Sequence, residues 1–156
     1  EPISDQFDIE FRYLDLSDKS YAEKELLSIL EQQEIDLIIL ARYMQIIPDS
    51  IVSRYKDRMI NIHHGFLPAF KGQRPYHKAW ERGVKIIGAT SHYVTSELDE
   101  GPIISQDVVS VDHHHSIKEL INSGRNLERN VLVNAIKAHL EHRIMIHGRR
   151  TIVFNQ

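Results

Sequence analysis

Cysteine is absent from this sequence. That alone excludes a disulfide framework, a thiolate zinc site and a cysteine nucleophile, and it agrees with a reducing, cytoplasmic setting. Long apolar stretches are absent too. The longest uninterrupted run is Leu37-Ile38-Ile39-Leu40-Ala41, far below the roughly 18 residues of a membrane-spanning helix, so no membrane partner is expected. Positive charge is not concentrated anywhere. Nineteen Lys+Arg against 22 Asp+Glu give a net charge of -3, with no basic block longer than Arg149-Arg150. The electrostatic footprint of phosphate-backbone binding is missing, and no nucleic-acid partner is expected. The start, Glu1-Pro2-Ile3-Ser4-Asp5, has no initiator Met, no basic segment and no apolar segment, so the chain is expected to be the middle of a longer polypeptide. What is present is 42% hydrophobic and 26% charged over 156 residues, the composition of one globular domain with a single core.

Hydrophobic period organises the chain. Ile9 to Leu16 alternates, with Ile9, Phe11 and Tyr13 on one side, which predicts an edge strand. Tyr21 to Gln33 places Ala22, Leu26, Ile29 and Leu30 at helical spacing. Leu37 to Leu40 is apolar on both faces and predicts a central parallel strand covered by helices on each side. Together these three predict a right-handed crossover. Pro48 is placed to open a helix as its first residue, running through Tyr55, and Met59 to His63 predicts another buried strand. A loop from His64 to Arg74 leads to a helix over Pro75 to Arg82. Strands are predicted at Lys85 to Val94 and Pro102 to Val111, flanking an acidic loop, Thr95 to Gly101. Ser116 and Glu119 spell a capping box for a long helix carrying Leu120, Leu127, Val131, Ala135 and Ile136, with a bend expected at Gly124. The two apolar runs around Gly148 predict a terminal hairpin.

Ligands of a parallel α/β sheet bind at the carboxyl ends of its strands, which selects two segments. In the first, Asn61 and His63 lie two residues apart at a strand end and point to one side of the sheet. The second, Ser96 to Pro102, brings Glu97, Asp99 and Glu100 into the loop after the next strand. An amide, an imidazole and a carboxylate together can polarise a carbonyl, stabilise its oxyanion and hold a water. Singly, each has a plainer reading: Asn as a backbone cap, His as a structural group, an acidic Gly-Pro loop as solvated surface. The ten histidines raise a metal site, through His63-His64 and His113-His114-His115. Adjacent histidines on a strand point to opposite faces, however, and neither cluster has the spacing of H-E-x-x-H.

Four strings decide between these readings: A-R-Y-M-Q-I-I-P (Ala41 to Pro48), I-N-I-H-H-G-F-L-P-A-F-K-G (Ile60 to Gly72), R-P-Y-H-K-A-W-E-R-G-V-K-I-I-G-A-T-S-H-Y-V-T (Arg74 to Thr95) and L-D-E-G-P-I-I-S-Q-D-V (Leu98 to Val108). The chain resembles the catalytic domain of the formyltetrahydrofolate deformylase family over essentially its whole length. That family sits among the folate-dependent formyltransferases, which share an N-x-H strand end and a D-x-G-P loop. His64, where transferases usually have Pro, the segment Pro75-Tyr76-His77 and the strand I-G-A-T-x-H-Y-V-T point to the deformylase branch.

The resemblance implies an α/β, Rossmann-like three-layer formyltransferase fold with a mostly parallel sheet. It implies a catalytic domain that is partial, without the family's first strand-helix-strand and its N-terminal ACT-type regulatory domain, the absent strands lying beside Leu37 to Leu40. The implied reaction is hydrolysis of 10-formyltetrahydrofolate to tetrahydrofolate and formate, a step of one-carbon and purine metabolism. Asn61, His63 and Asp99 become the catalytic set. Met44, Gln45, Ile46 and Ile47, with Val94, Glu97 and the rest of the loop to Asp99, become the pterin site, with His92 supporting it. Folate is substrate, water is co-substrate, and neither a cofactor nor a metal is implied; a homo-oligomer is expected. Gly65 departs from the family's usual Ser. The alternatives are formyl transfer to an amine such as glycinamide ribonucleotide by the same three residues, and a noncatalytic folate-binding module.

Overall fold

The computed structural model describes residues 2–15, 17–43, 45–67 and 75–155. They fall into two compact units, Glu1–Asp36 and Leu37–Gln156. In the first, helices α1 (Pro2–Gln6) and α2 (Lys19–Gln32) flank an irregular stretch. Asp18 caps α2 by accepting from the Tyr21 N–H at 3.1 Å. The strand expected from Ile9 to Leu16 does not form. Residues 9–15 are irregular and Ile9, Phe11 and Tyr13 are exposed, while Leu16 lies outside the described residues. Alternation makes a strand only where a neighbouring strand satisfies its N–H and C=O groups. Among the described residues no strand pairs with this stretch, and the predicted crossover is therefore not built from it.

The second unit is an α/β fold. Its four-stranded sheet has the order β1 (Ile38–Leu40), β2 (Met59–His63), β3 (Ile86–Tyr93), β4 (Ile103–Ser110). β1 and β2 are parallel, with Ile39 opposite Ile60, whereas β2–β3 and β3–β4 are antiparallel. The parallel part of the expected sheet is thus the β1/β2 pair, and the portion in this chain is mixed. Chain length gives the reason at β3–β4: a parallel neighbour needs a crossover of a dozen or more residues, and the stretch from Val94 to Pro102 is too short. Among the described residues β1 pairs with β2 alone and its residues are half-buried, as expected of a strand apolar on both faces whose implied further neighbours are not in this chain.

The helices follow local rules. α3 (Asp49–Arg54) takes Pro48 as its N-cap rather than its first residue, the Pro48 carbonyl accepting from Ile51 and Val52 N–H at 3.0 Å. Helix α4 covers Pro75–Arg82, and α5 covers Ile117–Leu140 behind the Ser116/Glu119 capping box. The helix α5 continues unbroken through Gly124, which serves packing. A Cβ there would lie 2.2 Å from the Tyr76 ring, so glycine lets α4 lay that ring on α5. The Tyr76 hydroxyl then donates to Glu128, and burial followed by the Glu128 carboxylate pushes its pKa up. Strands β5 (Ile144–His147) and β6 (Arg150–Val153) form the expected hairpin.

Two faces of the sheet do different jobs. Ile60 of β2, Tyr93 of β3 and Ile104 of β4 are buried with Ala135 of α5, while Ala89 is buried with Leu127 and Val131, and Ile62 packs there. These residues hold the sheet to α5, each fully buried aliphatic side chain contributing about 1.5–3 kcal/mol. Because strand side chains alternate, Asn61, His63, Gly88, Thr90 and His92 take the opposite face.

Candidate active site

Register builds the site. The antiparallel β2/β3 ladder places Asn61 opposite His92 and His63 opposite Thr90, so one face carries an amide and two imidazoles on neighbouring strands. The Thr95 to Gly101 loop supplies the carboxylate. Its base is closed by the Tyr93 N–H donating to the Pro102 carbonyl at 2.9 Å. Gly101 makes that closure sterically feasible, since a Cβ there would fall 1.7 Å from the Tyr93 carbonyl oxygen. Asp99 itself adopts a left-handed backbone, φ 57°, a conformation uncommon outside glycine and concentrated at functional sites.

Asp99 thereby meets the strand-end pair. His63 Nδ1 lies 3.2 Å from Asp99 Oδ2, and Asn61 Nδ2 lies 3.5 Å from Asp99 Oδ1. His63 is 7% exposed, His92 2%, and the Asp99 side chain 11%, so the group works largely out of water, where its interactions are stronger. His92 Nδ1 donates to the Tyr93 carbonyl at 2.8 Å, a partner that can only accept. The proton is fixed on Nδ1, and Nε2 accepts from Asn61 Nδ2 at 3.3 Å. His92 thus sets which way the Asn61 amide faces, with its second N–H directed to Asp99.

A cavity of ≈ 170 Å³ opens over this group. Of the residues expected at the site, Gln45, Ile46, Ile47, Asn61, His63, His92, Val94, Glu97 and Asp99 all line it. Met44 lies outside the described residues. Two features were not visible as site elements in the sequence. His64 also lines the cavity and stacks on His63, ring centroids 5.2 Å apart. Strand alternation argues against that contact, but β2 ends at His63 and the chain bends there. The second is Thr90. Its hydroxyl donates to the Gly65 carbonyl at 2.8 Å and accepts from the Leu67 N–H at 3.1 Å and from Gln106 Nε2 at 2.9 Å. This buried hydroxyl fastens the turn after the strand end through backbone groups, so Gly65 is held without a side chain of its own. The only sequence signal was a polar run, Thr90-Ser91-His92, inside an otherwise apolar strand.

Among the described residues, no group of three or more His, Asp or Glu is arranged to hold a metal ion. No helix of the described residues is long and apolar enough to cross a membrane. What the arrangement can do is donate to a carbonyl oxygen from Asn61 and His63 while Asp99 fixes the imidazole.

Comparison with known proteins follows the same residues. A family model described as formyl transferase matches residues 5–136. The formyltetrahydrofolate deformylase of Bacillus subtilis is 53% identical over 155 residues, 98% of this chain and 52% of that protein. A crystal structure of a formyltetrahydrofolate deformylase from Pseudomonas syringae is 46% identical with TM-score 0.93, over 99% of this chain and 52% of that one. A glycinamide ribonucleotide transformylase from Symbiobacterium toebii is 30% identical with TM-score 0.89, over 97% of this chain and 73% of that one. The chain spans about half the length of the curated relatives it matches.

Proposed function

Because the chain belongs to the formyl transferase family, we propose that the protein containing it hydrolyses 10-formyltetrahydrofolate to tetrahydrofolate and formate. It would then act on a linear amide-type C–N bond within one-carbon and purine metabolism. The observation that carries this reading is the convergence of Asn61, His63 and Asp99 at one end of a single cavity. Identity supports hydrolysis over transfer, at 53% to a deformylase against 30% to a transformylase.

In this reading Asn61 and His63 donate to the formyl oxygen as it becomes an oxyanion. His63 Nδ1 faces Asp99 Oδ2 at 3.2 Å, so in this reading the ring that donates from Nε2 carries both protons, with Nδ1–H on Asp99. Asn61 must turn one N–H toward the substrate, and the longer contact to Asp99, at 3.5 Å, is the one it gives up. The pterin is assigned to Gln45, Ile46 and Ile47, with Met44, and to the Val94 to Asp99 loop with Glu97; His92 holds Asn61. Water takes the place of an amine acceptor, and the folate is substrate rather than cofactor. A cytoplasmic location and a homo-oligomeric state belong to the same proposal, as does the assignment of this chain to part of a larger catalytic domain.

Incubating the intact protein with 10-formyltetrahydrofolate and no amine, and following formate and tetrahydrofolate, tests the reading. Equimolar release of both is expected. Turnover only after an amine is added would mean a transferase, and tight folate binding without turnover would mean a binding module.

A further inference from the structure

His64 lines the cavity and has no part in the chemistry assigned so far. Its Nε2 is buried and has no hydrogen-bond partner among the described residues. Leaving a buried polar atom unpaired is costly, and a catalytic role is one of the reasons for which native structures keep such an atom. Of the neighbouring polar groups, Asn61 Nδ2 faces His92 and Asp99, His63 Nδ1 faces Asp99, and Thr90 is tied to the backbone of Gly65 and Leu67; His63 Nε2, buried like His64 Nε2, is the atom the hydrolytic reading gives to the formyl oxygen.

Position narrows what that partner can be. The His64 ring lies 16° from parallel with His63, which keeps it beside the reacting point. His64 also borders a second cavity of ≈ 250 Å³, lined by Phe66, Tyr76, Ala79, Val84 and Ile87. That lining is largely apolar, and the Tyr76 hydroxyl in it already donates to Glu128, whereas the first cavity brings His64 together with Asn61, His63 and Asp99. Hydrolysis needs one molecule there that transfer does not, the attacking water.

We propose that His64 is a further catalytic residue: its Nε2 holds the attacking water and accepts its proton. The inference rests on the hydrolytic reading above. With the proton of the neutral ring on Nδ1, Nε2 takes a proton from water as the water oxygen bonds to the formyl carbon. The carbonyl electron pair moves to oxygen, where Asn61 and His63 donate. The pair then returns as the C–N bond breaks, its electrons go to the folate nitrogen, and that nitrogen takes the proton back from His64. Formic acid leaves and ionises in solvent, so the imidazole ends as it began.

The test uses the intact protein with 10-formyltetrahydrofolate, comparing wild type, His64→Ala and His64→Gln. Loss of a general base lowers kcat by about 10²-fold or more, while KM changes by less than about threefold because the folate contacts remain. His64→Gln, which holds a water but takes no proton from it, is expected to be as slow. Free imidazole is expected to restore a measurable part of the His64→Ala rate and none of the His64→Gln rate, where the site is filled. A folded His64→Ala protein with wild-type kcat, a loss confined to KM, or a loss that imidazole does not relieve overturns the proposal. If His64→Ala does not fold, wild-type kcat in His64→Gln overturns it. Failure of the wild type to release formate without an amine removes the hydrolytic reading itself, a different outcome from an active wild type with an unimpaired His64 variant.

Discussion

Two histidine clusters in this chain have nearly the same composition and opposite physics. At the end of β2, His63 and His92 meet Asp99 and His64 stacks on His63; after β4, His114 and His115 meet Asp112 and His113 lies against His114. The first set is delivered by two paired strands and a loop that returns across them, so residues 38 positions apart meet in a largely buried space. The second is local. Asp112 accepts from His115 Nδ1 at 2.8 Å and from the His114 N–H at 2.9 Å, and the His114 side chain is 78% exposed. Convergence from distant elements into a cavity makes chemistry available, whereas adjacency in sequence makes a turn. The difference teaches that counting histidines is uninformative until the sheet register is known.

The largest effects are expected in the buried cluster. Asn61→Ala, His63→Ala and Asp99→Ala in the intact protein should each lower turnover by about 10² to 10⁴, the range for an oxyanion donor or an acid-base group. Folate binding, measured by calorimetry, should change far less; near-normal formate release by any of the three removes that residue from the mechanism. Next comes the device that delivers Asp99. Gly101→Ala puts a methyl group against the Tyr93 backbone, which cannot yield as a side chain would. Overpacking of this kind costs about 1–3 kcal/mol, so a fall in Tm together with a fall in kcat is expected. Unchanged Tm and kcat would show that the loop closes another way.

Much of this was legible from residue patterns, and the failures have a common cause. β2, α4, the Ser116 capping box and the terminal hairpin follow from local chemistry, and the strand-end pair Asn61 and His63 follows from period two. The Ile9 to Leu16 stretch failed because a strand needs a partner that alternation cannot supply. Leu37 to Leu40 is apolar on both faces as a central strand is, and among the described residues it pairs with β2 alone, which agrees with a chain that spans about half the length of its relatives. His64 was set aside because strand geometry separates adjacent side chains, an argument that lapses where the strand stops. Asp99 was reachable through its loop, but Gly101 and Thr90, which place Asp99 and the Gly65 turn, declare themselves only through three-dimensional proximity.

His139 lies between the two extremes and sharpens the contrast. It is held on α5, where the Tyr93 hydroxyl is 2.8 Å from its Nδ1, and burial, then the neighbouring His142, holds its pKa below the ordinary value. With the imidazole neutral, the tyrosine donates. Burial, then the Asp57 carboxylate, pushes the Tyr93 hydroxyl up to about 12. A raised folded-state pKa favours the protonated fold, so this contribution is complete below about pH 10, the unfolded tyrosine value, and is lost as pH rises toward 12. Urea unfolding at a series of pH values from 9 to 12 should show that decline in the wild type and a shallower one in Tyr93→Phe. Parallel curves would place the alkaline sensitivity elsewhere.

The smallest effect is expected in the exposed cluster, and it is the direct test of the comparison. Hydrogen bonds from His115, then from the His114 backbone, hold the Asp112 carboxyl down at about 2. A lowered folded-state pKa means that what Asp112 contributes is present above its ordinary value and is lost as pH falls toward 2, far below the range in which turnover is measured. The turn also precedes α5, whose start is capped independently by Ser116 and Glu119. The Trp80 indole N–H donates to the His115 backbone carbonyl at 3.1 Å, and a backbone acceptor survives side-chain replacement. Replacing His113, His114 and His115 together by Ala should therefore leave turnover within about twofold of wild type, as for exposed positions without buried partners. Dialysis against a chelator should leave it unchanged as well. If activity fell on chelation and returned with zinc, and the triple variant lost that response, the exposed cluster would be the working one and burial would be the wrong criterion.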